Sequence, residues 1–105
     1  MSIQKSVTKD GITEWFKNGV PHRDDDKPAV ECSDGTQEWW MDGVKHREGD
    51  QPAVIRSDGT QEWWYHGKLH RPHGRPAIIH FDGVLEYYEH GIRYHVGTES
   101  CCVLV

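Results

Sequence analysis

At 105 residues the chain has room for one domain, and its 35% hydrophobic content with a mean hydropathy of -0.80 leaves a packed core only if the apolar positions are patterned. Five Trp, four Tyr and two Phe supply large rings for such a core. A net charge of -5 and a pI near 5.8 exclude the basic footprint of a nucleic-acid binder and fit a basic partner better, while three Cys without metal-site spacing exclude a disulfide framework.

The N-terminal segment, MSIQKSVTKD, has no apolar signal region, and no stretch approaches a membrane helix in length. A soluble cytoplasmic protein is expected, with residues 1–9 as a lead-in strand. From there a period of 24 governs the chain. Asp-Gly stands at 10–11, 34–35, 58–59 and 82–83, and a second turn glycine follows at Gly19, Gly43, Gly67 and Gly91. Between them recur Glu14, Glu38, Glu62 and Glu86, each followed by a ring pair: Trp15-Phe16, Trp39-Trp40, Trp63-Trp64 and Tyr87-Tyr88. His-Arg then recurs at 22–23, 46–47 and 70–71, and Pro-Ala at 28–29, 52–53 and 76–77. The units are therefore about 10–33, 34–57, 58–81 and 82–105, in one domain spanning 1–105. The last drifts, with Tyr94-His95 for His-Arg and Ser100-Cys101 for Pro-Ala, as a capping unit does.

Each unit holds two short β-type runs split by two-residue turn signals. Asn-Gly, Asp-Gly and the related His66-Gly67 and His90-Gly91 suit type I′ hairpins, and no window has a helical period. The reading is all-β and antiparallel throughout. Counting outward from two-residue turns sets Phe16 against Pro21, Trp15 against His22 and Glu14 against Arg23, and likewise in later units. The same count from Asp34-Gly35 and Asp58-Gly59 sets Val30 and Val54 beside Trp39 and Trp63, and Ala29 and Ala53 beside Trp40 and Trp64. One face then carries Val, Trp and His, the other Ala, the second ring and a Glu/Arg pair. A third residue in either turn inverts these faces.

The unit D-G-x-x-E-W-W-x-x-G-x-x-H-R-x-x-x-x-P-A resembles the MORN repeat, more closely a divergent branch written W-x-x-N-G-x-x-H-R-x-x-G-P-A, over residues 10 to 95. The resemblance implies an elongated, twisted antiparallel sheet of tandem β-hairpins. It also implies settings: membrane-associated scaffolds, bacterial antitoxin-like proteins, and phage or giant-virus proteins.

The first rings Trp15, Trp39, Trp63 and Tyr87, with His22, His46 and His70, read as a structural ladder of stacked rings and backbone-bonded imidazoles. The second column, Phe16, Trp40, Trp64 and Tyr88, falls on a face that a lone sheet leaves open, so either Lys45, Leu69 and Arg93 cover it or a partner does. Asp24, Asp25, Asp26, Glu48 and Asp50 occupy equivalent loops and form an acidic knob for a basic protein, or simply solvated loops. His66, His70, His73, His80, His90 and His95 cluster late in the chain, but no Cys or carboxylate shares their spacing, so no metal and no cofactor is expected. Cys102-Val103-Leu104-Val105 outlines a prenylation box, yet Cys101 to Val103 also align with Ala77 to Ile79 as a closing strand. No single catalytic constellation stands out. The expectation is a non-enzymatic module that binds and inhibits another protein. The alternatives are a homodimer or self-associating scaffold, an enzyme, and a peripheral membrane protein; the last is disfavoured by the acidic charge, and no nucleic-acid partner is expected.

Overall fold

The computed structural model describes residues 3–98, and among them every regular element is a strand. In chain order these are β1 (Gln4–Val7), β2 (Thr13–Lys17), β3 (Val20–Pro21), β4 (Val30–Glu31), β5 (Gln37–Glu38), β6 (Trp40–Met41) and β7 (Val44–Lys45). They continue as β8 (Val54–Ile55), β9 (Gln61–Glu62), β10 (Trp64–Tyr65), β11 (Lys68–Leu69), β12 (Ile78–Ile79), β13 (Val84–Glu89) and β14 (Ile92–Thr98). The expected closing strand and prenylation box at 101–105 lie outside the described residues.

Every strand pairing is antiparallel. The main sheet runs β1-β2-β4-β5-β8-β9-β12-β13-β14, with β3 also on β2, while β6-β7 and β10-β11 form separate hairpins beside it. Extents of 52 × 26 × 20 Å and a radius of gyration of 15.1 Å, against about 13 Å for a compact chain of this length, make the molecule elongated.

The separate hairpins have a backbone cause. Trp15, Trp39 and Trp63 each donate N–H forward to the carbonyl of Ala29, Ala53 and Ala77 (2.8, 2.7 and 2.7 Å), and accept at O from His22, His46 and His70 (3.0, 3.1 and 3.1 Å). At each Trp the strand thus leaves the next strand of the main sheet and pairs with its own hairpin return. The ring at this branch is buried in the corner, as are the alanines: Trp39 and Trp63 are 7% exposed and Ala29, Ala53 and Ala77 are 0%. The hairpin tips bond to each other in turn, Gly43 to Pro21, Gly67 to Lys45 and Gly91 to Leu69.

Two turn chemistries alternate. Asn18-Gly19, Asp42-Gly43, His66-Gly67 and His90-Gly91 all have positive φ at both residues, as a two-residue type I′ turn requires. The register beyond the first of them is Lys17 with Val20 and Phe16 with Pro21. The Asp-Gly turns at 10–11, 34–35, 58–59 and 82–83 are different. Gly35 N–H donates to Cys32 O and Cys32 N–H to Thr36 O, so Ser33, Asp34 and Gly35 form a three-residue loop with only the glycine at positive φ. Asp34 Oδ1 accepts the Thr36 N–H at 2.9 Å, which fixes the Asp in a turn conformation of negative φ.

That extra residue corrects the expected pairing. Val30 opposes Glu38, not Trp39, and Val54 opposes Glu62, not Trp63. Ala29 and Ala53 meet the first Trp of the neighbouring strand through their carbonyls and do not pair with Trp40 and Trp64. The Val row therefore shares the Glu face, and the expected Val-Trp-His face does not exist.

Candidate functional site

The arginines, expected on Glu14, Glu38 and Glu62, are instead laid over the first rings. The guanidinium carbons of Arg23, Arg47 and Arg71 sit 3.6, 3.8 and 3.8 Å from the centroids of Trp15, Trp39 and Trp63. Each also donates to the carbonyl of the proline five residues on, Pro28, Pro52 and Pro76. Arg47 and Arg71 further reach back to Asp26 and Asp50 of the preceding loop, both at 2.9 Å. The H-R-x-x-x-x-P pattern is thus a ring cover that ties one loop to the next. The recurrent offset of 21 between Asp26 and Arg47, and between Asp50 and Arg71, was the available signal for this pair.

The histidines hold successive hairpins together. Nδ1 of His22, His46 and His70 accepts the backbone N–H of Asp42, His66 and His90, at 3.0, 2.9 and 2.9 Å. An acceptor Nδ1 leaves the proton on Nε2, which donates to Asp24 in the first case and Glu48 in the second. The His22 bond holds the Asp24 carboxyl below its usual range. The His46 and His70 rings also lie against His66 and His90, with centroids 4.3 and 4.4 Å apart. Among the described residues, no group of three metal-type ligands comes together.

The acidic loops are largely occupied from within. Asp24 is on His22, Asp26 on Arg47, Glu48 on His46, and Asp50 on both Arg71 and Arg75. Only Asp25, exposed and at positive φ, has no such partner among the described residues.

The second rings are half-buried: Phe16, Trp40, Trp64 and Tyr88 all lie between core and solvent. The Glu face explains their orientation. Trp40 Nε1 donates to Glu38 at 2.9 Å, Trp64 Nε1 to Glu62 at 2.8 Å, and the Tyr88 hydroxyl to Glu86 at 3.1 Å. Burial, then Glu86, push the Tyr88 phenol up, while the His80 bond holds the Glu86 carboxyl down. Across their hairpins Lys45 opposes Trp40, Leu69 opposes Trp64 and Arg93 opposes Tyr88. The Lys45 amine lies between two rings, 4.7 Å from the Trp64 centroid and 5.7 Å from that of Trp40. A hollow of about 270 Å³ remains between Trp40 and Trp64, lined also by Gly43, Val44, Lys45 and Gly67.

Larger cavities lie along the loops, among them one of about 350 Å³ beside Trp39 and His46 and one of about 390 Å³ beside Trp63 and His70. Sequence reasoning did not anticipate them, because they arise where an inter-unit loop stands over the wing of the following hairpin.

No family model, curated protein or solved structure matches this chain.

Proposed function

We propose that the chain is a non-catalytic binding module that engages and inhibits another protein through the second-ring face. The observation that carries this reading is the hollow between Trp40 and Trp64, with both rings part-exposed and a lysine amine between them. Tryptophan held rigid by a hydrogen bond loses little conformational freedom on binding, and Trp is enriched at interface hot spots. The net charge of -5 favours a partner with a basic surface. The ring face outranks the acidic loops as the contact, because four of the five loop carboxylates already have internal cations or imidazoles. The MORN-like resemblance, supported by the run of consecutive hairpins, adds a cytoplasmic defence, counter-defence or toxin-antitoxin setting.

Affinity capture with the wild-type chain beside Trp40→Ala and Trp64→Ala tests the reading. A protein retained by the wild type and lost from both folded variants is expected. Retention that is indifferent to both substitutions would sink it.

A second reading, self-association, has its own observation. Among the described residues β14 is an edge strand of the main sheet, and Ile92, Tyr94 and Val96 on it are 73, 51 and 47% exposed. Light scattering separates the two readings, since a strict monomer at high concentration removes the second.

A further inference from the structure

We propose that the cavity beside His70 is a carboxylate-binding site. In the two preceding units the chain itself shows what such a site holds. His22 and His46 give Nδ1 to a backbone N–H of the next hairpin and Nε2–H to a carboxylate two residues on, Asp24 or Glu48. His70 keeps the first bond, to the His90 N–H at 2.9 Å, but two residues on stands Pro72. Its tautomer is therefore fixed with a proton on Nε2, and among the described residues that proton has no acceptor.

A second donor beside the same cavity also lacks a partner. Trp39 Nε1 donates to the Asp26 carbonyl at 3.1 Å, whereas Trp63 Nε1, in a side chain 7% exposed, has no acceptor among the described residues. Trp63 and His70 both line the cavity of about 390 Å³. A buried donor without a partner, as Trp63 Nε1 is, is rare in folded proteins, His70 is half-buried at the cavity, and a cavity of this volume falls in the range that takes small ligands. The carboxylates in the wall do not oppose an anion strongly. Glu48 is hydrogen-bonded to His46 and Asp50 lies between Arg71 and Arg75, while Arg47, also in the wall, is paired with Asp26. What the cavity offers unpaired is donors, and what the repeated histidine takes elsewhere is a carboxylate. The ligand is thus a small organic acid or an acidic side chain of a peptide, and this inference stands independently of the second-ring face.

The experiment is a titration of ¹⁵N-labelled protein at neutral pH with acetate and, separately, with a Gly-Glu-Gly peptide blocked at both ends. Sodium chloride serves as the ionic-strength control. Saturable shifts of the Trp63 indole and His70 imidazole signals are expected, with the Trp39 indole unmoved. Stronger binding of the peptide assigns the site to an acidic side chain, and acetate binding at least as well assigns it to a free acid. Pro72→Glu restores the internal carboxylate and is expected to weaken either probe at least about tenfold, the difference one charge-assisted hydrogen bond makes. Pro72→Ala is expected to bind as the wild type does. The absence of saturable shifts with both probes, equal shifts with chloride, or undiminished binding by a folded Pro72→Glu variant would each overturn the proposal.

Discussion

The two tryptophans of each pair are neighbours in sequence and have opposite fates. Trp63 sits at the branch where its strand passes from the main sheet to its own hairpin, 7% exposed beneath Arg71. Trp64, one residue on, lies half-exposed with its N–H on Glu62 and a lysine above it. The first ring fills the corner between sheet and wing. The second is held in place without being covered. Burial here is thus decided by where the hydrogen-bond ladder changes partner, since both residues offer the same side chain.

The largest effect that sharpens this contrast is on stability. Trp63→Ala removes a buried ring and enlarges the cavity beside it, and is expected to destabilise by about 3–5 kcal/mol. Trp64→Ala removes a partly solvated ring and is expected to destabilise by about 1 kcal/mol. Urea denaturation midpoints of the two variants check the difference. Equal losses would mean that the second ring is core after all, and would remove the stability argument for a free face.

The next effect belongs to the histidine beside the first ring. His46→Ala removes a ring that is 3% exposed together with the acceptor of the His66 N–H, and the two losses together cost about 1–3 kcal/mol. The expected readout is faster hydrogen exchange at the His66 amide, with the tip of the following hairpin loosened more than the main sheet. Exchange unchanged at that amide would mean that the tips are held by the glycine bonds alone.

How much of this was legible in the sequence depends on the kind of signal. The all-β, hairpin-by-hairpin architecture was legible because turn dipeptides and ring pairs recur at fixed spacing. The faces were not, since one dipeptide serves two turns. Asp42-Gly43 has both residues at positive φ, whereas in Asp34-Gly35 the Asp accepts the Thr36 N–H and only Gly35 is at positive φ. That single extra loop residue moves Val30 from Trp39 to Glu38. The arginine contacts were missed for a different reason: the assumed hairpin register holds as far as the Trp39–His46 pair, but there the strand passes to the main sheet, so Glu38 pairs with Val30 and Val54 while Arg47 lies over the Trp39 ring and reaches Asp26. The second rings were assigned to an open face, and their bonds to Glu38, Glu62 and Glu86 follow from spacing of two on one strand face, which is readable once the register is known.

The two turn types differ next in how they tolerate a side chain. At Gly59, φ is 96° and an added Cβ meets nothing within 4 Å, so Gly59→Ala is expected to cost only the backbone strain, about 1–2 kcal/mol. At Gly67 a Cβ also comes within 3.3 Å of the Val44 Cβ in the neighbouring tip. Gly67→Ala is therefore expected to be the more damaging of the two, and to disturb the hollow between Trp40 and Trp64 as Gly59→Ala does not. Denaturation midpoints together with the indole signals of those two rings report both effects.

The smallest effect is electrostatic and again divides the rings. Asp50 is held below its ordinary carboxyl value of 3.8, first by the hydrogen bond from Arg71, the residue that covers Trp63. A carboxyl whose pKa is depressed on folding binds fewer protons in the folded chain than in the unfolded one. Its contribution to stability is then present in full above about pH 4, and is lost as pH falls through the folded value below 3.8. Asp50→Asn is accordingly expected to lower the denaturation midpoint slightly at pH 7, and the gap to wild type is expected to close as the pH falls below 3.8. Because Arg71 lies on the first ring and not the second, the part of the acid-induced change in indole environment that Asp50→Asn abolishes should appear at Trp63. A gap that persists undiminished at the lowest pH would show that the asparagine acts through packing, with the Asp50–Arg71 charge pair contributing nothing to the ring's cover.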